Sequence, residues 1–233
     1  MIRRHKIGAF HKKRNTVDLK IKRRSDGIFF LHQFEQALSL YEFHGEEVNV
    51  DPGVRRHVDV IRPHDVWMIE SGNLNGKCAD LNALYVAMAR SVGLPARDLY
   101  GIRVVPSEFG YKALGAGSEV VTKAQHCRAE VWLSGSGWTP VDPADVRKVV
   151  LEEPPTNLAM TDLKVMAARR ALFGAWEGNW LAFNDAHDVV LPGSNAEALP
   201  FLMYPQAIDK SGFVDPYDVD AFKYRITARE LTA

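Results

Sequence analysis

The stretch "GNLNGKCADLNALYVAMARSVGLPAR", residues 72–97, holds one of the chain's two cysteines between a glycine- and asparagine-rich turn and the clearest helical pattern in the sequence. Leu81, Leu84, Tyr85, Met88, Ala89 and Val92 recur at i, i+3, i+4, i+7, i+8 and i+11, one apolar face of an α-helix. Gly93 and Pro95 supply its stop. Gly72, Asn73, Asn75 and Gly76 form the turn ahead of it. The pattern therefore predicts Cys78 at a helix N-terminus, where free N–H groups and the positive end of the dipole favour a thiolate.

After this helix the period falls to two. "DLYGIRVV" (98–105), "HCRAEVWL" (126–133) and "WTPVDPA" (138–144) read as strands, the last two joined by the turn "SGSG" (134–137). A helix followed by an antiparallel meander predicts an α+β fold, with the cysteine-bearing helix packed on the sheet. A second helix is expected over residues 162–173, with Thr161 as its N-cap. Short strands are expected in "NWLAFN", "DVVLP", "PFLMYP" and "FKYRITA". Upstream, residues 31–42 read as a short amphipathic helix and residues 45–65 as a broken loop.

Composition bounds the possibilities. A chain of 233 residues with 46% hydrophobic and 25% charged residues has an ordinary globular composition. Two cysteines make no disulfide framework, and their spacing fits no zinc motif. No apolar run approaches the roughly 20 residues of a membrane span. No secretory signal is read either, so the chain as written is expected in the cytoplasm, with export open if the N-terminus is incomplete. Residues 1–24 carry ten of the 29 Lys and Arg and one of the 29 Asp and Glu, which leaves the rest at nineteen against twenty-eight. That acidic remainder, and the lack of aromatic residues among the basic ones, do not support a nucleic-acid partner. Residues 1–45 are set apart as a basic N-terminal segment, and residues 46–233 are assigned to one domain.

A cysteine that does chemistry needs a base beside the sulfur and a group to orient that base. His126 opens one strand of the 126–144 hairpin and Asp142 ends the other, each eight residues from Ser134. A regular ladder centred on Gly135–Ser136 puts the two on opposite faces, and a bulge near Pro140 would bring them level. Taken singly, Cys78 is a small hydrophobe, His126 a hydrogen-bonded strand-end histidine and Asp142 a turn residue before Pro143. Cys127, adjacent to His126 on a strand, is expected to point to the opposite face as core filler. Asp80 fits a first-turn carboxylate that stabilises the helix dipole. His187 and Asp188 are read as structural.

The order "GKCADLNALYVAMARSVGLPAR", "GIRV", "QHCRAEVWL", "GWTPVDPAD" resembles the transglutaminase-like superfamily, a circularly permuted relative of papain-like folds. The later "FGAWEGNWLAFNDAHDVVLPGS" and "LPFLMYPQA" are similar to the C-terminal strands of bacterial members, whereas residues 1–45 do not look like the family's usual N-terminal region. The resemblance implies Cys78 as nucleophile, His126 as general base and acid, and Asp142 as the orienting carboxylate. It implies acyl transfer through a thioester, with a peptide or protein substrate and neither cofactor nor metal. The oxyanion would sit on the Cys78 N–H and one upstream donor, Asn73 or Asn75. Hydrolysis by a cysteine peptidase or amidase is the preferred outcome. Glutamine transamidation, a catalytically inactive binding module, and a metal site on Cys78, His126 and Asp142 remain as alternatives.

Overall fold

A computed structural model describes residues 76–91, 93–218 and 220–230. The basic segment 1–45, the expected helix over 31–42, the loop 45–65, and Asn73 and Asn75 all lie outside the described residues.

Helix α1 (Cys78–Ser91) leads into β1 (Ala96–Arg103). A 3-10 turn (Lys112–Leu114) precedes β2 (Gln125–Leu133) and β3 (Gly137–Val141). Two helices follow, α2 (Pro143–Glu152) and α3 (Leu163–Ala171). The chain then forms β4 (Trp180–Asn184), β5 (His187–Val189), β6 (Leu199–Phe201), β7 (Ala207–Asp209) and β8 (Gly212–Val214). Strands β1 to β4 make one antiparallel sheet in the order β3-β2-β1-β4, and β5–β6 and β7–β8 are separate hairpins. The architecture is α+β, as expected.

Helix α1 differs from the sequence reading in one respect. The predicted stripe is buried from Leu81 to Ala89, but so are Asn82, Ala83, Val86, Ala87 and Arg90, so from Leu81 to Arg90 no face meets solvent. The helix is the centre of the core rather than its cover. Leu84 and Tyr85 pack with Ala129 and Val131 of β2, Val146 and Val149 of α2, and Val165 and Ala168 of α3. The one cation of this stretch, Arg90, is satisfied by its Nε donating to the Ala96 carbonyl at 2.9 Å.

The expected strand over 138–144 is a correction. Pairing stops at Val141, and Pro143 begins α2 with Asp142 as its N-cap, so an entire helix was missed. Its signals were present: an aspartate before proline at the first helical position, then Val146, Val149 and Val150 at i, i+3 and i+4. "FKYRITA" forms no strand, only an isolated bridge from Thr227 to Val120. The β7–β8 hairpin was likewise unforeseen.

Close approach explains one glycine. Gly101 pairs with His126 across β1 and β2, and a Cβ there would lie 2.5 Å from the Trp180 ring and 2.3 Å from the Leu181 carbonyl oxygen. The bare backbone lets the indole lie close and donate its Nε1–H to the His126 carbonyl at 2.9 Å. The strand that carries His126 is thus held from β4.

Candidate active site

The start of α1 is fixed by its own side chains. The Lys77 carbonyl accepts from Leu81 N–H at 3.1 Å, while Asp80 Oδ2 accepts from Lys77 N–H at 2.8 Å, the carboxylate half of a capping box. Asp80 is therefore a capping residue, in line with its bland reading. Cys78 occupies the first helical position, half-buried, with its N–H among those that lack an intrahelical acceptor. Asn82, one turn on and fully buried, donates through Nδ2 to the carbonyls of Cys78 and Cys127, each at 3.0 Å. One amide thus ties the helix start to β2.

His126 and Asp142 meet without a bulge. The β2–β3 register runs unbroken from Leu133↔Gly137 to Ala129↔Val141, so the loop has three residues, Ser134 to Ser136, and the hairpin centres on Gly135. That shift of one residue from the expected centre puts Asp142 level with Arg128, on the His126 face and one diagonal step from the ring. His126 Nε2 lies 2.7 Å from Asp142 Oδ2, and Asp142 Oδ1 accepts from Asp145 N–H at 3.0 Å as the α2 cap. With Nε2 engaged, Nδ1 is the ring nitrogen left for the sulfur.

The surroundings are densely charged and buried. His126, Arg128, Asp142 and Asp145 are all buried, and Arg103 with them. Asp145 Oδ1 is 3.2 Å from His126 Nε2 and also pairs with Arg103, while Arg128 Nε is 3.4 Å from Asp142 Oδ2. Arg128 stands over the Trp180 ring at 4.9 Å and donates to the Glu177 carbonyl at 2.8 Å. Burial pulls the His126 pKa down, but Asp145 and Asp142 outweigh it and raise it from 6.5 to about 9. Burial pushes Asp142 up, yet His126, Arg128 and Arg103 hold it well below the usual carboxylate range. Burial and then Asp142 push Asp145 up. The ring is therefore a cation near neutral pH, clamped by an anion.

Cys78 completes this arrangement. A hydrogen bond from Cys127 is the largest influence that lowers its pKa; burial opposes, and the charge and hydrogen bond of His126 lower it further, leaving it well below the ordinary thiol value. Cys127 itself is buried and pushed far up, first by burial and then by the neighbouring sulfur. Cys127 does fill a core cluster with Tyr100 and Met203, but that cluster packs against Cys78. Facing away from His126 did not take it away from the sulfur.

Structure thus brings Cys78, His126 and Asp142 together. Asn82, Arg103, Arg128 and Asp145 were missed, because nothing in their spacing marks them; only the fold places them around the ring, and Cys127, read as core filler, is that and a neighbour of Cys78 as well. The three groups His126, Asp142 and Asp145 have ligand atoms within 4.8 Å of one another. Arg103 and Arg128 already neutralise those carboxylates, so a dication would have to displace or face two guanidiniums. The donor set suits an ion-pair network better than a metal.

A cleft of about 560 Å³ opens beside Cys78 and His126, bounded by Lys77, the loop around Gly115–Gly117, residues 123–126 and the 144–152 face of α2. Tyr204 reaches the same cleft from the C-terminal segment. Among the described residues no helix is long and apolar enough to cross a membrane.

Comparison with known proteins bears on the family rather than on the site. Residues 31–143 match the family model of the transglutaminase-like superfamily core. An uncharacterized protein of Haemophilus influenzae is 38% identical over 173 residues, covering 70% of this chain but only 46% of that relative. The structure of red sea bream transglutaminase shows 15% identity over 50% of this chain and 26% of its own, with a TM-score of 0.24, too faint a likeness to carry an argument. The family match thus assigns residues 31–143, just under half of the chain, to the transglutaminase-like superfamily core, and the described residues fold as helices with an antiparallel sheet.

Proposed function

We propose that this protein is a thiol-dependent acyl-transfer enzyme that hydrolyses a peptide or amide bond through a thioester on Cys78. The observation that carries the reading is the half-buried Cys78 at the start of α1, its thiol lowered beside a His126 whose far nitrogen lies 2.7 Å from Asp142.

In this mechanism the Cys78 thiolate attacks the carbonyl carbon and the C=O pair moves onto oxygen. The Cys78 N–H faces the developing oxyanion, with Asn73 or Asn75 as the proposed second donor. Collapse breaks the C–N bond as His126 Nδ1–H gives its proton to the leaving nitrogen. Neutral His126 then takes a proton from water, whose oxygen attacks the thioester; collapse returns the thiolate and releases the acid. Asp142 keeps the ring oriented and compensates its charge in both halves.

Water is the preferred acceptor because the cleft is open and polar, and nothing in its walls favours an amine over a solvent that is at about 55 M. The test offers a glutamine-containing peptide library with and without a fluorescent amine, and follows both products. Free acid is the expected product. Efficient amine incorporation with little acid would replace hydrolysis by transamidation, and no turnover with intact Cys78 reactivity would favour a binding module.

A further inference from the structure

The walls of the cleft carry an uneven charge. Among the described residues, Lys77, Lys123, Arg147 and Lys148 line it against a single carboxylate, Glu152. Arg147 and Lys148 are half-buried on α2, and neither they nor Lys123 makes an ion pair within 4.0 Å among the described residues. Lys77 instead lies over the Tyr217 ring, 4.0 Å from its centroid. These cations are not the buried Arg103 and Arg128, whose charge the two aspartates absorb. They line a concavity with the nucleophile at one end, where low-dielectric walls focus a field more strongly than a convex surface does.

We propose that this cleft selects acyl donors that carry carboxylates, an acidic peptide being the simplest case. The proposal deepens the acyl-transfer reading and rests on it for the chemistry, though not for the charge. Asp142 caps α2, so at 1.5 Å per residue Arg147 and Lys148 lie roughly 8–9 Å further along the helix axis. That is the span of two to three residues of extended chain, at about 3.3 Å each. An acidic side chain a few residues from the scissile bond would meet these cations. The same field repels a lysine amine, which disfavours cross-linking at this site.

Two measurements on the full-length chain test this. The first compares alkylation of Cys78 by iodoacetate and by iodoacetamide, reagents that differ in charge and need no substrate. The rate ratio of acid to amide should fall about fivefold in the double variant Arg147→Glu, Lys148→Glu, and by less in Arg147→Gln, Lys148→Gln, as expected for partly solvated charges. The second measures binding of a tetramethylrhodamine-labelled (Ala-Glu)4 peptide and its (Ala-Gln)4 counterpart to Cys78→Ala protein. The glutamate peptide should bind about tenfold more tightly at low salt and lose that advantage at high salt. An unchanged alkylation ratio, or a glutamine peptide bound as tightly as the glutamate one, overturns the proposal. If both readouts behave as expected but the native chain hydrolyses no peptide, charge selection stands and the hydrolase reading alone falls.

Discussion

Asp142 serves two partners at once: Oδ2 lies 2.7 Å from His126 Nε2, and Oδ1 accepts the Asp145 N–H that opens α2. The residue that orients the imidazole is thus also the residue that starts a helix. Substitutions there must be chosen to separate the two roles.

Asp142→Asn retains a good N-cap, so the fold should survive, but the anion facing the imidazolium is gone. Turnover should drop by about a hundredfold or more, with residual rate supported by Asp145 at 3.2 Å. Asp142→Ala should add a stability loss of about 1 kcal/mol from the missing cap. Steady-state kinetics and urea melts on both variants check this. Near-normal turnover in Asp142→Asn would mean the orienting group lies elsewhere.

Cys78 should be the reactive thiol, because Cys127 is buried and held far above the ordinary thiol range. Brief iodoacetamide treatment followed by peptide mass spectrometry should label Cys78 preferentially. Cys127→Ala should in turn raise the Cys78 pKa, since the Cys127 hydrogen bond is the main influence that lowers it. A pH series of alkylation rates reads this shift, and an unmoved curve would remove Cys127 from the site.

The rate should rise with pH as Cys78 loses its proton and fall near pH 9 as His126 loses the proton it must donate. In stability the two groups oppose each other. The folded pKa of His126 lies above its unfolded 6.5, so its contribution is complete below about pH 6.5 and is lost towards 9. The folded pKa of Cys78 lies below its unfolded value, so its contribution grows over the same window. Urea unfolding of Cys78→Ala should therefore show stability falling between pH 6.5 and 9 more steeply than in the wild type. A flat Cys78→Ala profile would show that His126 is not held charged.

Gly101→Ala should destabilise the protein by about 1–3 kcal/mol, as overpacking does, because the new methyl meets the Trp180 ring and the Leu181 carbonyl. Activity should fall too, because Trp180 Nε1–H holds the His126 carbonyl. Thermal melts and kinetics on the same sample test both parts. An unaltered melting temperature would show that β4 yields without cost.

The core helix and the two central strands, β1 and β2, were legible because their apolar periodicity spans many residues, as from Leu81 to Ala89. The position of Cys78 was legible because glycine and asparagine before an apolar run mark a helix start. Helix α2 was not, because "DPADVRKVVLE" begins within what alternation reads as strand, and Asp142-Pro143 was weighed as a turn. Asp145, Arg103 and Arg128 could not be seen at all. A buried ion pair is made by chain segments brought together in folding, and Arg103 and Asp145 are 42 residues apart. Whether Asp142 shares a face with His126 depended on one residue in a glycine-serine turn, which composition cannot resolve.

That turn has a consequence for how the protein can change. Because strand faces alternate with every residue, what matters at this tip is that the ladder from Leu133↔Gly137 to Ala129↔Val141 keeps its register. Exchanges at Ser134 or Ser136 leave that register intact and should be silent, whereas Gly135, at φ 81°, takes no side chain without strain. A one-residue slip of the ladder would turn Asp142 to the far side of the sheet and uncouple it from His126, whereas extra residues taken up within the exposed tip leave the pair in place. The tip can therefore take up new length without harm to the site, so long as the β2–β3 pairing behind it holds Asp142 on the His126 face.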